Sequence, residues 1–207
     1  SEKGVETLAK YASMFGLSET SGVEIPESEP EISDEYAVQS AIGQGTNNFT
    51  VSQLNRYVTA VANSGTVYDL TLIDKTTDSN GNLIKDYQAE VISTMDEIDS
   101  STWDMVHQGM QRMVDSSATF AGLDFDMAGK TGTAQQSAVH ADHALFVGYA
   151  PADSPEISIA VRMAYGYSSS YAAEIGRDIA KIYFDPDSAE DLITGSAGEL
   201  GSALAGD

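Results

Sequence analysis

The 207-residue sequence predicts an α+β fold, an antiparallel sheet with helices packed against it, and three features carry that prediction. Apolar residues recur with the 3.6-residue period of a helix around positions 5–15, 51–61, 103–114 and 172–182. Two strand-like runs flank Asp78-Ser79-Asn80-Gly81-Asn82, and Asn-Gly between such runs marks a hairpin. Three further strand patterns, at 128–135, 144–149 and 157–165, then follow in succession before a closing helix. Length and 42% apolar composition suit one domain with a sizeable core, assigned to residues 1–186.

In order, Val5, Leu8, Tyr11, Ala12 and Phe15 form the first helical stripe, closed by Gly16. Residues 18–36, rich in Ser, Glu and Pro, read as irregular surface chain with a short extended piece at Val23–Ile25. Gly43 and Gly45 fit a tight backbone path into a helix whose start is a capping box, Thr50 with Gln53. Val51, Leu54, Tyr57, Val58 and Val61 make its core face. Val67–Lys75 and Leu83–Tyr87 are the arms of a projecting hairpin. Ser101 with Asp104 caps the next helix, which carries Trp103, Val106, Met110, Met113 and Val114, and His107 on it reads as a surface or core histidine before it reads as a catalyst. Ala144–Tyr149 is a buried strand; Ile157, Ile159, Val161 and Met163 alternate on one face of the next. Ala172, Ile175, Ile179 and Ile182 form the last helix face, stopped by Asp185-Pro186. Residues 187–207, dominated by Ser, Ala, Gly and acids, read as a flexible tail.

Charge and missing residue types narrow the functions. A formal net charge of −22 lacks the basic footprint that nucleic acid or anionic membrane surfaces require, so neither is an expected partner. No apolar run reaches transmembrane length, and with no Cys there is neither disulfide nor thiolate chemistry. His140-Ala141-Asp142-His143 lies in a loop that does not align its imidazoles, so no metal is assigned, and no cofactor is expected.

The stretch richest in chemistry is Ala128-Gly129-Lys130-Thr131-Gly132-Thr133-Ala134-Gln135, a small-residue edge strand with one cation at its centre. Gly inside a strand marks close approach of a ligand or another backbone. Lys130 is one of 10 basic residues against 32 acidic ones, and beside two hydroxyls it suits a carboxylate receptor. The plainer reading is an edge strand whose Lys discourages strand-to-strand aggregation. A phosphate-binding loop ending in Gly129-Lys130-Thr131 would need Gly at position 124; Asp124 stands there, and with Asp126 would repel phosphate.

Lys130-Thr131-Gly132-Thr133 with Ala134-Gln135 resembles the Lys-Thr-Gly motif of the penicillin-binding proteins, the serine transpeptidases that cross-link bacterial peptidoglycan. Ala41-Ile42-Gly43-Gln44-Gly45, Thr50, Gln53-Leu54 and Ala62-Asn63-Ser64-Gly65-Thr66 resemble the family's Gly-Gln-Gly segment and its following helix. His143–Pro151 resembles the strand after Lys-Thr-Gly, so the likeness runs over residues 4–184. The family's other motifs are missing. No Ser stands three residues before any Lys, where Thr7, Leu72, Asn82, Met127 and Asp178 occur, so there is no Ser-x-x-Lys. No Ser stands two before any Asn, so there is no Ser-x-Asn either. The resemblance therefore implies the C-terminal part of a class B-like transpeptidase domain, an incomplete penicillin-binding/serine β-lactamase-like fold, beginning just after Ser-x-Asn.

By that resemblance Lys130 is a catalytic position behind the cleft, supplying positive potential and a hydrogen bond to the Ser of Ser-x-Asn. Thr131 and Thr133 correspond to hydroxyls that hold a carboxylate, the Thr133 N–H to an oxyanion-hole donor, and Gly132 and Gln135 to further substrate-binding positions. The implied partners are a peptidoglycan stem peptide, β-lactams and the missing N-terminal part of the same domain. The parent enzyme is expected at the extracytoplasmic face of the bacterial membrane, held by an upstream anchor. With no nucleophile, the chain alone is expected to be inactive. A non-catalytic module that senses β-lactams or muropeptides, or binds a partner, is the alternative. A β-lactamase relative fits less well, because the extended Gly-Gln-Gly segment is transpeptidase-like. The Lys130–Thr133 strand should border an open groove.

Overall fold

The computed structural model describes residues 2–34, 36–136 and 139–193. The chain opens with α1 (Glu2–Met14), which ends where Gly16 turns to a positive φ of 76° and Leu17 N–H reaches back to the Ala12 carbonyl. Val5 is buried, but Tyr11, expected on the same stripe, is 44% exposed. Residues 18–34 form no helix or strand, as expected, and the extended piece proposed at Val23–Ile25 joins no ladder; residue 35 of the expected segment lies outside the described residues. A four-residue helix that the sequence did not announce, α2 (Ala37–Ser40), precedes the Gly43–Gly45 turn.

The capping box of α3 (Val51–Ala62) is present in full: the Gln53 N–H donates to the Thr50 hydroxyl, and the Thr50 N–H to the Gln53 side chain at 2.8 Å. Val58 and Val61 are buried as expected, whereas Val51, the first helical residue, is exposed. Arg56 is buried on the same helix, donating to the carbonyls of Gly16 and Glu19, with Asp69 3.9 Å away.

The single hairpin read from 67–87 is two ladders. β1 (Thr66–Asp69) pairs with β4 (Glu90–Thr94), a strand the sequence reading missed, and β2 (Lys75–Thr77) pairs with β3 (Leu83–Asp86) beyond it. The break has a local cause. Leu70 N–H donates to the Ser21 carbonyl, and Glu24 accepts from Thr71 and Leu72, so residues 70–72 are tied to the preceding loop instead of to a partner strand. The Asp78–Asn82 turn is as expected, with Gly81 at φ 85° and the Asp78 carboxylate accepting from Asn80 and Asn82.

Helix α4 (Ser100–Asp115) starts two residues earlier than expected, with Asp99 as N-cap in place of Ser101. It buries Trp103 and Val114, while Val106 stays partly exposed. His107 is structural: its Nε2 lies 2.7 Å from the Val61 carbonyl, and its ring packs between Trp103 and Tyr149.

The central sheet is β5 (Ala128–Ala134), β6 (His143–Ala150) and β7 (Ile157–Met163), antiparallel in that order. Helix α5 (Ser169–Phe184) covers one face around Phe146, and α3 with part of α4 covers the other around Tyr149. The core face of α5 is rotated from the expected one: Ala172, Ala173, Gly176 and Ala180 are buried, whereas Ile175 and Ile179 are each 40% exposed. Phe146 forces this, since its ring fills the space where a larger side chain at 176 would stand. The expected tail starts within a short 3₁₀ turn, Pro186–Ser188, and α6 (Ala189–Leu192); 194–207 lie outside the described residues.

Candidate active-site strand

β5 stays in unbroken register with β6 from Ala128↔Tyr149 to Ala134↔His143, and its other edge pairs with no strand among the described residues. In an antiparallel ladder the N–H and C=O groups of alternate residues turn to opposite edges. Three contacts fix the phase here. The Asp126 carbonyl accepts from Ala152 N–H on the β6 side at 3.0 Å. Lys130 Nζ donates to the Thr131 carbonyl at 2.6 Å, and the Gln44 side-chain amide meets both backbone groups of Gln135. Even-numbered residues of β5 therefore bond to β6, and the peptide groups of Thr131, Thr133 and Gln135 face the open edge.

The pleat sorts the side chains as well. Lys130 and Gly132 lie on the α3/α4 face, Thr131 and Thr133 on the α5 face, and the Lys130 ammonium reaches the sheet edge through its contact with Thr131. Lys130 and Thr133 are exposed, and Thr131 and Gly132 half-buried. Lys130 forms no ion pair among the described residues, so its positive charge stands free in an acidic chain.

The two strand glycines serve different ends. A Cβ on Gly129 would stand 2.6 Å from the Phe146 ring, so the fold itself requires that glycine. A Cβ on Gly132 would meet only Leu145 at 3.5 Å, an ordinary contact. Packing within the chain does not itself require a glycine at 132.

Beyond Ala134 the strand is held from two sides. Gln136 Oε1 lies 2.7 Å from His143 Nε2, and Arg162 approaches the same nitrogen at 3.1 Å. His143 Nδ1 accepts from Tyr165 N–H at 3.1 Å, which requires that nitrogen to be unprotonated. Burial, then the Arg162 charge, push the His143 pKa below its ordinary value, against a smaller pull from Asp142. His140 and His143 both stack near Tyr165, and no group of three His, Asp or Glu able to hold a metal exists among the described residues.

On the other side stands Gln44, between Gly43 at φ 79° and Gly45 at φ 83°. With its amide oriented to pair donor with acceptor, its oxygen accepts from Gln135 N–H at 3.2 Å and its nitrogen donates to the Gln135 carbonyl at 3.3 Å. The sequence marked Gln44 only as the middle of the Gly-Gln-Gly segment; its contact with Gln135 was not legible there.

Comparison with known proteins identifies the family and the fold. The family model for the penicillin binding protein transpeptidase domain matches residues 1–181. Penicillin-binding protein 2A of Bacillus subtilis is 29% identical over 90% of this chain and 30% of its own length; Peptidoglycan D,D-transpeptidase MrdA of Acinetobacter baumannii is 25% identical over 86% and 31%. The chain thus spans about a third or less of the curated relatives it matches. Among solved structures, the D,D-transpeptidase domain of a peptidoglycan glycosyltransferase from Eggerthella lenta superposes with a TM-score of 0.76 at 21% identity, covering 89% of this chain and 48% of that one. Penicillin-binding protein 2B from Streptococcus pneumoniae gives 0.73 at 24% identity, over 88% and 31%. A strand carrying Lys-Thr-Gly-Thr with its outer edge open, on a three-stranded antiparallel sheet between helices, therefore sits in a chain that belongs to the penicillin binding protein transpeptidase domain family.

Proposed function

We propose that this chain is the part of a peptidoglycan D,D-transpeptidase that lines its acyl-transfer site, supplying the substrate-binding strand and not the nucleophile. The observation that carries the reading is the open edge of β5, with the peptide groups of Thr131 and Thr133 outward and the unpaired Lys130 ammonium beside them. An extended peptide adds to such an edge by backbone hydrogen bonds, and Gly132 admits it closely. Lys130 with the Thr131 and Thr133 hydroxyls forms a carboxylate site, and the Thr133 N–H is an oxyanion donor.

In the intact enzyme a Ser Oγ from outside this chain forms a bond to the penultimate D-Ala carbonyl carbon of a stem peptide. The C–N bond to the terminal D-Ala breaks, and that D-Ala leaves with the hydroxyl proton. An amine of a second strand then displaces the Ser and returns a proton to Oγ. A β-lactam is opened by the same first step. The enzyme works at the extracytoplasmic face of the bacterial membrane, carried there by an anchor upstream; among the described residues no helix is long and apolar enough to cross a membrane.

The test is acylation of the intact protein by a fluorescent penicillin. Lys130→Met should lower the second-order rate by about a hundredfold or more, the size expected when a charged hydrogen bond and a field at the reacting centre are both lost. An unchanged rate overturns the reading. The isolated chain should form no denaturation-resistant adduct, whereas a sensor module with its own nucleophile would form one.

A further inference from the structure

We infer that Gln44 is a positioning residue that closes the open edge of β5 at Gln135 and so limits the ligand's backbone footprint to Thr131 and Thr133; this rests on the transpeptidase reading above. A side-chain amide that accepts from the N–H and donates to the C=O of one residue makes the two bonds that a neighbouring strand residue would make in an antiparallel pair. Gln44 thus occupies the next strand position along the edge. An added peptide running past Thr133 meets an edge already paired.

The amide is held firmly enough to do this. Gln44 N–H donates to the Gln39 carbonyl at 2.9 Å, and its own carbonyl accepts from Asn47 Nδ2 at 2.9 Å. Asn47 Oδ1 in turn accepts from Ser33 N–H at 2.9 Å, and the Ser33 and Ser40 hydroxyls meet at 2.7 Å beneath Gly45. A Cβ on Gly45 would lie 2.7 Å from the Ser33 hydroxyl, so the positive-φ glycine both makes the turn and leaves room for that pair. A backbone fixed at both of its polar groups aims the Gln44 side chain at one target.

The phase of the strand gives this contact its consequence. Gln135 and Thr133 are two residues apart on the same edge, so fixing both peptide groups of Gln135 fixes the plane and direction in which the Thr133 N–H points. Misplacing a catalytic donor by about 1 Å can cost about a hundredfold in rate, although the donor is still present. Gln44 touches no reacting atom; it acts through Gln135.

The experiment uses the intact protein, with Gln44→Ala and the isosteric Gln44→Glu, which keeps an acceptor for Gln135 N–H but no donor for its carbonyl. Three readouts are taken: thermal midpoint, the acylation rate constant separated from the preceding binding constant, and amide exchange at Gln135 against Ala134. The expected result for Gln44→Ala is a ten- to hundredfold slower acylation step with the binding constant within threefold. Gln135 N–H should lose protection while Ala134 N–H, bonded to β6, keeps it. Gln44→Glu should recover part of the rate and the Gln135 protection. Should acylation stay within twofold of the parent while Gln135 is deprotected, Gln44 does not position the strand for catalysis. Unchanged Gln135 protection shows that the contact is not made. A fall in both β5 amides with a lowered midpoint makes the role merely structural and also overturns the inference. Lys130→Met in the same assay separates the two hypotheses: if it too leaves acylation intact, the transpeptidase reading has failed, not only the role of Gln44.

Discussion

Phe146 lies so close to Gly176 that a Cβ built there would stand 2.3 Å from its ring. Gly129 and Gly148 approach the same ring, with Cβ positions at 2.6 and 2.7 Å. One aromatic side chain thus crowds three glycines, at Gly148 together with the Ala128 carbonyl at 2.7 Å, and with them sets the contact between β5, β6 and α5. Gly176→Ala should destabilise the domain by about 1–3 kcal/mol through overpacking, although Ala is the better helix former by about 1 kcal/mol. Gly109→Ala, at an exposed mid-helix site with nothing within 4 Å, should instead stabilise by up to about 1 kcal/mol. Urea denaturation of both variants checks the contrast, and equal shifts of the same sign would contradict it.

The same ring explains where the sequence misled. Period-3.6 reading gave Ile175 and Ile179 the core face of α5 because they are the most apolar residues, but the space against Phe146 admits only Ala172, Ala173, Gly176 and Ala180. Local chemistry was legible wherever the partners are close in sequence: the Thr50–Gln53 box, the Asp78–Asn82 turn and the meander of β5, β6 and β7. Contacts between distant segments were not. The break of β1 at Leu70 depends on Ser21, and the closing of β5 depends on Gln44; neither partner is marked by periodicity or propensity. For the strand itself, the Lys130–Thr133 residue types pointed to a carboxylate site, while the phase that turns Thr131 and Thr133 outward needed the ladder.

Arg56 should matter far more than its ion pair. Arg56→Met leaves the Gly16 and Glu19 carbonyls without their donor at a buried junction and should cost about 3 kcal/mol or more. Asp69→Asn removes a half-exposed partner at 3.9 Å and should cost less than about 1 kcal/mol. Comparable losses in chemical denaturation would show that the ion pair, not the carbonyl clamp, holds α1 to α3.

Tyr149 is fully buried, its hydroxyl has no hydrogen-bond partner among the described residues, and burial raises its pKa to about 12. An unsatisfied buried hydroxyl costs about 1–3 kcal/mol, so Tyr149→Phe should be neutral or stabilising by about 1 kcal/mol. A loss above that size in thermal unfolding would mean that the hydroxyl has a partner after all.

Acid should weaken the flank of β5 before it unfolds the rest. His143 has a folded-state pKa below its ordinary 6.5, so below that pH the unfolded chain binds more protons than the folded one, and stability falls as pH drops from 6.5 through the folded value. Above 6.5 its contribution is complete. Glu27 adds to this lower down: burial opposes its ionisation, but bonds from Ser52, Ser21 and Thr50 outweigh that and hold it below the usual carboxylate range. Unfolding free energies at pH 7.5 and 5.5 should differ for the parent and differ less for His143→Gln. An equal slope in both proteins would assign the acid response elsewhere.

Thr133 carries two assigned roles that a pair of substitutions separates in the intact enzyme. If its hydroxyl binds carboxylate while its outward N–H serves the oxyanion, Thr133→Ala removes the first and keeps the second. One hydrogen bond to a charged group is worth about 1.5–3 kcal/mol, or about ten- to a hundredfold in acylation rate. Thr133→Pro removes the N–H. Because Thr133 faces the open edge, Pro there breaks no bond to β6, so the damage falls on the donor and on the local path of the strand. Its loss should exceed that of Ala by at least the roughly 2.7–4 kcal/mol of an oxyanion donor. Acylation by a penicillin with a free carboxylate and by its ester decides between the roles: the Ala variant should lose the preference for the carboxylate, and the Pro variant should be slow with both. An Ala variant that still discriminates as the parent does would move the carboxylate contact to Thr131 or Lys130, the other two groups at this edge.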